Sequence, residues 1–127
     1  AEAFDAVSAH GGRVVKTIGD EVMFVGLPDR ALQVALALRD LGRDGGGLLP
    51  VRVGVAVGPV VGHAGDVFGP VVNLAHRLTE LAEPGTVLAP AELRADLGDE
   101  RFSWTPTGVR RVRGIGEVET VRLEAAR

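Results

Sequence analysis

The sequence contains no cysteine, and this absence removes several chemistries from consideration. Disulfide bonds, thiolate nucleophiles and metal sites built on thiolates are all excluded. The sequence also lacks a basic excess, because 14 lysines and arginines against 17 acidic residues give a formal net charge of -3. A dedicated nucleic-acid-binding protein normally gathers such an excess on one face, and the basic cluster at 110–113 is too small to replace it. We therefore expect no nucleic-acid partner.

Long apolar runs are missing as well. No stretch is long enough to span a bilayer, and no signal peptide is visible. We therefore expect this segment to be cytoplasmic, or to form a cytoplasmic part of a larger protein, without direct membrane contact.

The composition and length indicate a chain that folds into one domain of ordinary size. The chain has 127 residues, of which 46% are hydrophobic, and this is enough for a single core. We find no internal repeat and no domain boundary, so we expect one domain over 1–127. Strand and helix patterns alternate with several hairpins, which indicates an α+β sandwich with one sheet covered by helices on one face.

Apolar periodicity and turn residues place the individual elements. Asp29 is expected to cap a helix, Pro70 suits the first turn of another, and the glycine-rich stretch 42–47 is expected to be a flexible loop. The predicted helices cover 2–9, 30–41, 70–82 and 91–97. The predicted strands cover 14–17, 21–25, 51–57, a stretch within 58–66, 86–89, 102–105 and 118–123.

The predicted helix over 70–82 carries a pair of residues with chemical potential. Asn73 and Arg77 are four positions apart and therefore lie on the same helix face, away from the apolar stripe. Such residues usually form a solvated face. Here a glycine-bounded loop places Asp66 just ahead of the helix, and the guanidinium of Arg77 suits phosphate oxygens.

The predicted hairpin over 14–25 carries Lys16 and, at its turn, Asp20. Aspartate is common in turns for local hydrogen-bonding reasons, but a carboxylate there is also a suitable ligand for Mg²⁺. Lys16 is either a solvated charge or a donor to a base edge or a phosphate. A salt bridge between the two side chains is a further alternative, worth only about 0–1 kcal/mol if exposed. Spacing alone leaves these possibilities open.

Three stretches together resemble the catalytic domain of class III adenylate and guanylate cyclases. They are "VVKTIGDEVMF" (14–24), "VRVGVAVGPVVG" (51–62) and "GDVFGPVVNLAHRLTELAEPGTVL" (65–88). The resemblance extends over most of the chain, from about 11 to 123. It implies a ferredoxin-like fold of the βαββαβ type, with a mainly antiparallel sheet and helices on one face.

The resemblance also implies an activity, the conversion of ATP to 3′,5′-cyclic AMP and pyrophosphate. Lys16 and Asp66 match the pair that reads the adenine ring, through its N1 acceptor and its N6 amine. Asp20 matches one of two aspartates that hold two divalent ions, Mg²⁺ or Mn²⁺. These three residues thus imply an ATP-specific and metal-dependent site.

The remaining matches concern the ribose and the phosphates. Asn73 would orient the ribose, Arg77 would stabilise charge on the phosphates during attack by the 3′-hydroxyl, and Arg113 would contact the terminal phosphates. The family's active sites lie between two subunits arranged head to tail. We therefore expect a homodimer in which one hairpin contributes Asp20 to one site and Lys16 to the other.

One departure from the family pattern keeps other functions open, and Pro70 and His76 also depart from that pattern. The family's other metal-binding aspartate lies on a strand that precedes the first helix, so we expect an N-terminally truncated domain with regulatory parts elsewhere in the protein. His76 stands beside Arg77 as either a pH-sensitive neighbour or an exposed residue without function. The alternatives are a non-catalytic nucleotide-binding or regulatory module and, because "IGDEV" resembles its glycine-glycine-acidic turn, a diguanylate cyclase.

Overall fold

The computed structural model describes residues 9, 12–18, 21–43 and 50–126. Three predicted features lie wholly or mostly outside these residues. They are the predicted helix over 2–9, of which only residue 9 is described, the predicted metal ligand Asp20, and most of the predicted loop over 42–47. For Lys16 the backbone is described but the side chain is not.

The structure alternates strands and helices along the chain. The strands are β1 (Arg13–Ile18), β2 (Glu21–Val25), β3 (Arg52–Gly54), β4 (Val61–His63), β5 (Asp66–Phe68), β6 (Thr86–Pro90), β7 (Phe102–Val112) and β8 (Gly116–Ala125). The helices between them are α1 (Pro28–Arg43), α2 (Pro70–Leu81) and α3 (Glu92–Leu97).

A four-stranded sheet in the order β3-β6-β8-β7 forms the centre of the fold. Strand β3 runs parallel to β6, whereas the β6–β8 and β7–β8 pairs are antiparallel. The hairpins β1–β2 and β4–β5 form separate two-stranded sheets. The arrangement confirms the predicted α+β class with a mainly antiparallel sheet.

The alternation of side chains along β6 separates the two faces of this sheet. Val87 and Ala89 belong to the main core, which contains Leu32 of α1 and Leu93 of α3. Leu88 points the other way and forms a second cluster with residues of α2. The prediction placed the helices on one face. Helices α1 and α3 share one face, and α2 covers the opposite face because its apolar stripe packs against Leu88.

Helix α2 approaches the sheet closely at Gly54. The N–H of Gly54 donates to Thr79 Oγ1 at 3.1 Å, and Thr79 Oγ1 donates to the carbonyl oxygen of Ala75 at 2.9 Å. A Cβ atom added to Gly54 would overlap backbone atoms of Thr79 and Ala75. The absence of a side chain at this position therefore sets the distance between α2 and the sheet.

Several predicted boundaries differ from the structure. Helix α1 begins at Pro28, so Asp29 lies in its first turn rather than at the N-cap, and it continues to Arg43 through the first residues of the predicted loop. Strand β3 is shorter than predicted, since Val57 leaves the sheet and is 41% exposed. A glycine-bounded loop was predicted after the strand within 58–66. This segment contains β5, which pairs with β4 in an antiparallel hairpin.

The last hairpin is longer than its two predicted strands. Strands β7 and β8 pair from Phe102 with Ala125 to Val112 with Gly116. The apolar pattern marked only the buried end of this hairpin, because side chains toward the turn are largely exposed. None of the helices in the described part of the chain is long and apolar enough to cross a membrane.

Candidate functional site

Helix α2 separates an apolar face from a polar one. Pro70 occupies the first turn, after Gly69 with a φ of 144°, a conformation that favours glycine. Leu78 is fully buried, and Leu74 packs beside it. Asn73 and Arg77 therefore lie on the opposite, more exposed side, as their spacing predicted.

The turn between β7 and β8 positions Arg113. The N–H of Ile115 donates to the carbonyl oxygen of Val112 at 3.0 Å, and Gly114 has a φ of 81°. Val112 is buried and anchors the end of the hairpin. Arg113 follows directly and is exposed. A long antiparallel hairpin thus carries this guanidinium to the polar side of α2.

A cleft of about 500 Å³ brings the helix and the turn together. Its lining residues come from α2 and from the β7–β8 turn, and they are Pro70, Asn73, His76, Arg77, Arg113, Gly114 and Ile115. Two guanidinium groups, an amide and an imidazole face this space without a carboxylate among the lining residues. Because the N-terminal end of α2 also borders the cleft, its dipole adds positive potential. The cleft is suited to a polyanionic ligand such as a phosphate chain.

Arg77 contacts a carboxylate that sequence reasoning did not single out. Its Nη1 donates to Glu80 Oε1 at 3.2 Å and to Oε2 at 3.4 Å. His76 Nε2 lies 2.9 Å from the same Oε1 atom. The i,i+3 and i,i+4 spacings of these residues were the signal that would have revealed the contact.

The predicted adenine-reading pair is described in part. Strand β1, which carries Lys16, lies against β5, which begins at Asp66. Asp66 is half-buried and lies opposite His63 in the β4–β5 hairpin, where Ala64 and Gly65 adopt positive φ values of 52° and 81°. The fold therefore brings the backbones of the two strands near each other. The contact between the two side chains stays a prediction.

The predicted metal ligand Asp20 lies outside the described residues. Among the described residues, no group of three or more histidine, aspartate or glutamate side chains is arranged to hold a metal ion. The cleft itself is lined by cationic and amide groups, which suit phosphate oxygens rather than a divalent cation.

Comparison with known proteins identifies the family. The family model described as "Adenylate and Guanylate cyclase catalytic domain" matches residues 2–125. An adenylate cyclase of Glutamicibacter nicotianae is 44% identical over 98% of this chain and 32% of its own length. A pH-sensitive adenylate cyclase of Mycobacterium tuberculosis (strain CDC 1551 / Oshkosh) is 43% identical over 86% of this chain and 29% of its own. The chain thus spans about a third of these curated relatives.

A solved structure agrees with this assignment. The crystal structure of an adenylate/guanylate cyclase/hydrolase from Silicibacter pomeroyi superposes with a TM-score of 0.80 at 26% identity, over 94% of this chain and 76% of that one. The sequence relatives, the family model and the fold agree with one another. The chain belongs to the family of adenylate and guanylate cyclase catalytic domains.

Proposed function

We propose that this chain is the catalytic domain of an adenylate cyclase, which converts ATP to 3′,5′-cyclic AMP and pyrophosphate. The observation that carries the proposal is the cleft in which Asn73 and Arg77 of α2 meet Arg113 of the β7–β8 turn. The relatives named as adenylate cyclases support cyclase chemistry.

The phosphate chemistry follows from these three side chains. In cyclisation the ribose 3′-hydroxyl attacks the α-phosphorus, the bond to the β-phosphate oxygen breaks, and pyrophosphate leaves. Negative charge builds on the α-phosphate and on the leaving group. Arg77 neutralises this charge, Arg113 binds the terminal phosphates, and Asn73 orients the ribose by a hydrogen bond. Preorganised donors of this kind stabilise a transition state because they need no reorganisation during the reaction.

The choice of ATP rests on Lys16 and Asp66. A lysine ammonium donates to the N1 acceptor of adenine, and a carboxylate accepts from the N6 amine. Guanine presents a donor and an acceptor in the reverse order. The neighbouring positions of β1 and β5 support a common role for these residues.

Class III cyclase domains are generally dependent on divalent metal ions. Asp20 would supply one carboxylate to Mg²⁺ or Mn²⁺, and two bound ions would neutralise phosphate charge and favour ionisation of the 3′-hydroxyl. The resemblance to the family implies a second aspartate ligand, on a strand that precedes the first helix.

We also propose that the domain acts as a head-to-tail homodimer in the cytoplasm, with a regulatory domain elsewhere in the protein. An apolar groove beside the cleft supports a contact between subunits, since Val57 and Ile115 in its wall are 41% and 42% exposed. Phe68 on β5 is also 51% exposed. Burial of such side chains in a dimer would be favourable.

A turnover assay with the full-length protein tests the function. We expect cyclic AMP from ATP in the presence of Mn²⁺ or Mg²⁺, and little cyclic GMP from GTP. Equal use of both nucleotides would contradict the roles of Lys16 and Asp66. Binding of ATP without turnover would instead identify a regulatory nucleotide-binding module.

A further inference from the structure

Glu80 lies on α2, one turn beyond His76 and Arg77. It is absent from the lining residues, although His76 and Arg77, which do line the cleft, both contact its carboxylate. The Oε1 atom lies 2.9 Å from His76 Nε2 and 3.2 Å from Arg77 Nη1. One carboxylate oxygen of Glu80 therefore contacts two residues that line the cleft.

This contact contributes little to the stability of the helix. An acidic residue that follows its basic partner by one turn is in the less favourable order, because it lies toward the negative end of the helix dipole. The side chains of Arg77 and Glu80 are 37% and 47% exposed, so solvent screens their attraction. The ion pair with Arg77 therefore stabilises the helix only slightly.

The contact does restrict the orientation of Arg77. Arginine has five N–H donors distributed over three nitrogen atoms. Both hydrogen bonds to Glu80 use Nη1, so the N–H groups of Nε and Nη2 remain outside this contact. Two such donors suit the bidentate recognition of phosphate oxygens.

We propose that Glu80 is a positioning residue that orients the guanidinium of Arg77, and that His76 adjusts this contact by competing for Oε1. The proposal rests on the function proposed above, in which Arg77 neutralises charge on the phosphates. When His76 is neutral, Glu80 holds Arg77 through a full ion pair. When His76 is protonated, its positive charge draws Oε1 away, and Arg77 is held less firmly.

Histidine is the residue type in this contact whose charge ordinarily changes near neutral pH. Arg77 and Glu80 on the same helix are charged residues near His76, and Arg113 of the β7–β8 turn lines the same cleft. Strands β3 and β6 also pack against α2. Their residues at this contact are Gly54 and Leu88, which carry no charge. Between about pH 5 and 8, where histidine side chains change charge, the arginines keep theirs.

The first test is the substitution Glu80→Gln in the full-length protein. We expect kcat with ATP to fall about fivefold, the equivalent of about 1 kcal/mol, while KM changes less than about twofold. The control is Glu83→Gln, which removes a carboxylate just beyond the same helix end. Glu83 forms no ion pair within the described part of the chain, so this variant should retain wild-type kcat. An unchanged kcat in Glu80→Gln, or a change confined to KM, would overturn the proposal.

The second test examines His76. The ratio of wild-type kcat to that of His76→Gln should fall as the pH is lowered from about 8 to 5.5. The same comparison in a Glu80→Gln background should give a ratio that does not change with pH. An equal pH dependence in both backgrounds would show that His76 acts without Glu80.

A third measurement does not depend on turnover. Rotation of the Arg77 guanidinium, followed by ¹⁵N NMR in arginine-labelled protein without nucleotide, should be faster in Glu80→Gln than in wild type and Glu83→Gln. Equal rotation in all three proteins would overturn the positioning role. If the protein lacks cyclase activity but shows this difference in rotation, the proposed function is contradicted. The positioning of Arg77 by Glu80 is supported in that case.

Discussion

One face of α2 buries Leu78 against Leu88 of the sheet, and the opposite face directs Asn73 and Arg77 toward the cleft. The buried face is constrained by shape, since it must fit the sheet next to Gly54. The exposed face is constrained by charge and by hydrogen-bonding direction. The two faces should therefore respond differently to substitution. Changes on the cleft face should affect turnover, and changes on the buried face should affect folding.

The largest expected effect is that of Arg77→Ala on turnover. Loss of a preorganised donor to the transition state lowers kcat about 10²- to 10³-fold in comparable sites. The free energy of unfolding should hardly change, because the ion pair that Arg77 forms with Glu80 is exposed and screened by solvent. Cyclic AMP production by the full-length variant, measured beside its thermal unfolding, tests both statements.

Arg94→Ala is a matched control for this experiment. Arg94 also lies on a helix and pairs with a carboxylate, Asp99 at 3.0 Å, but it does not line the cleft. Its removal should leave turnover near wild type. A similar loss in both variants, or near-normal turnover by Arg77→Ala, would contradict the assigned role of Arg77.

The second prediction concerns the buried face of the same helix. Leu78→Ala removes a fully buried side chain and should lower the free energy of unfolding by about 3 kcal/mol, through lost transfer energy and an unfilled cavity. Chemical denaturation measures this loss. Leu27→Ala, at a position that is 62% exposed, should change stability by less than about 0.5 kcal/mol. Equal effects would show that Leu78 is not part of a packed core.

The third and smallest prediction concerns the approach of α2 to the sheet. Gly54→Ala would place a methyl group against backbone atoms of Thr79 and Ala75, and relief of this overlap should cost about 1–3 kcal/mol. Gly62→Ala is the control, because its Cβ atom would meet only the carbonyl oxygen of Asp66, at 4.0 Å. Equal thermal stability of the two variants would contradict the close packing at Gly54.

Local pattern predicted most of the elements near the site. The spacing of Leu74 and Leu78 and the position of Pro70 were sufficient for α2, since each acts within one or two turns of a helix. The β-branched residues within 14–17 and 21–25 likewise predicted the β1–β2 hairpin. The β5 strand was not recognised because its three residues follow directly from a glycine-containing turn.

The cleft required information that no local pattern contains. Arg113 and Arg77 lie far apart in the chain, and the resemblance to the cyclase family related them only by analogy. The full length of the β7–β8 hairpin decides where Arg113 lies, and most of its outer part carries no apolar alternation. The contact of Glu80 with Arg77 and His76 was predictable from their spacing, but the sharing of one carboxylate oxygen depends on the side-chain conformations.

The sequence by itself determined the α+β class, the helix that carries Asn73 and Arg77, and which face of that helix is apolar. These features depend on residues that are close in the chain. The tertiary structure alone decided that α2 covers the face of the sheet opposite to α1, and that the β7–β8 turn closes over its polar side. Both depend on packing between distant segments, where shape complementarity at Gly54 and the reach of a long hairpin determine the arrangement.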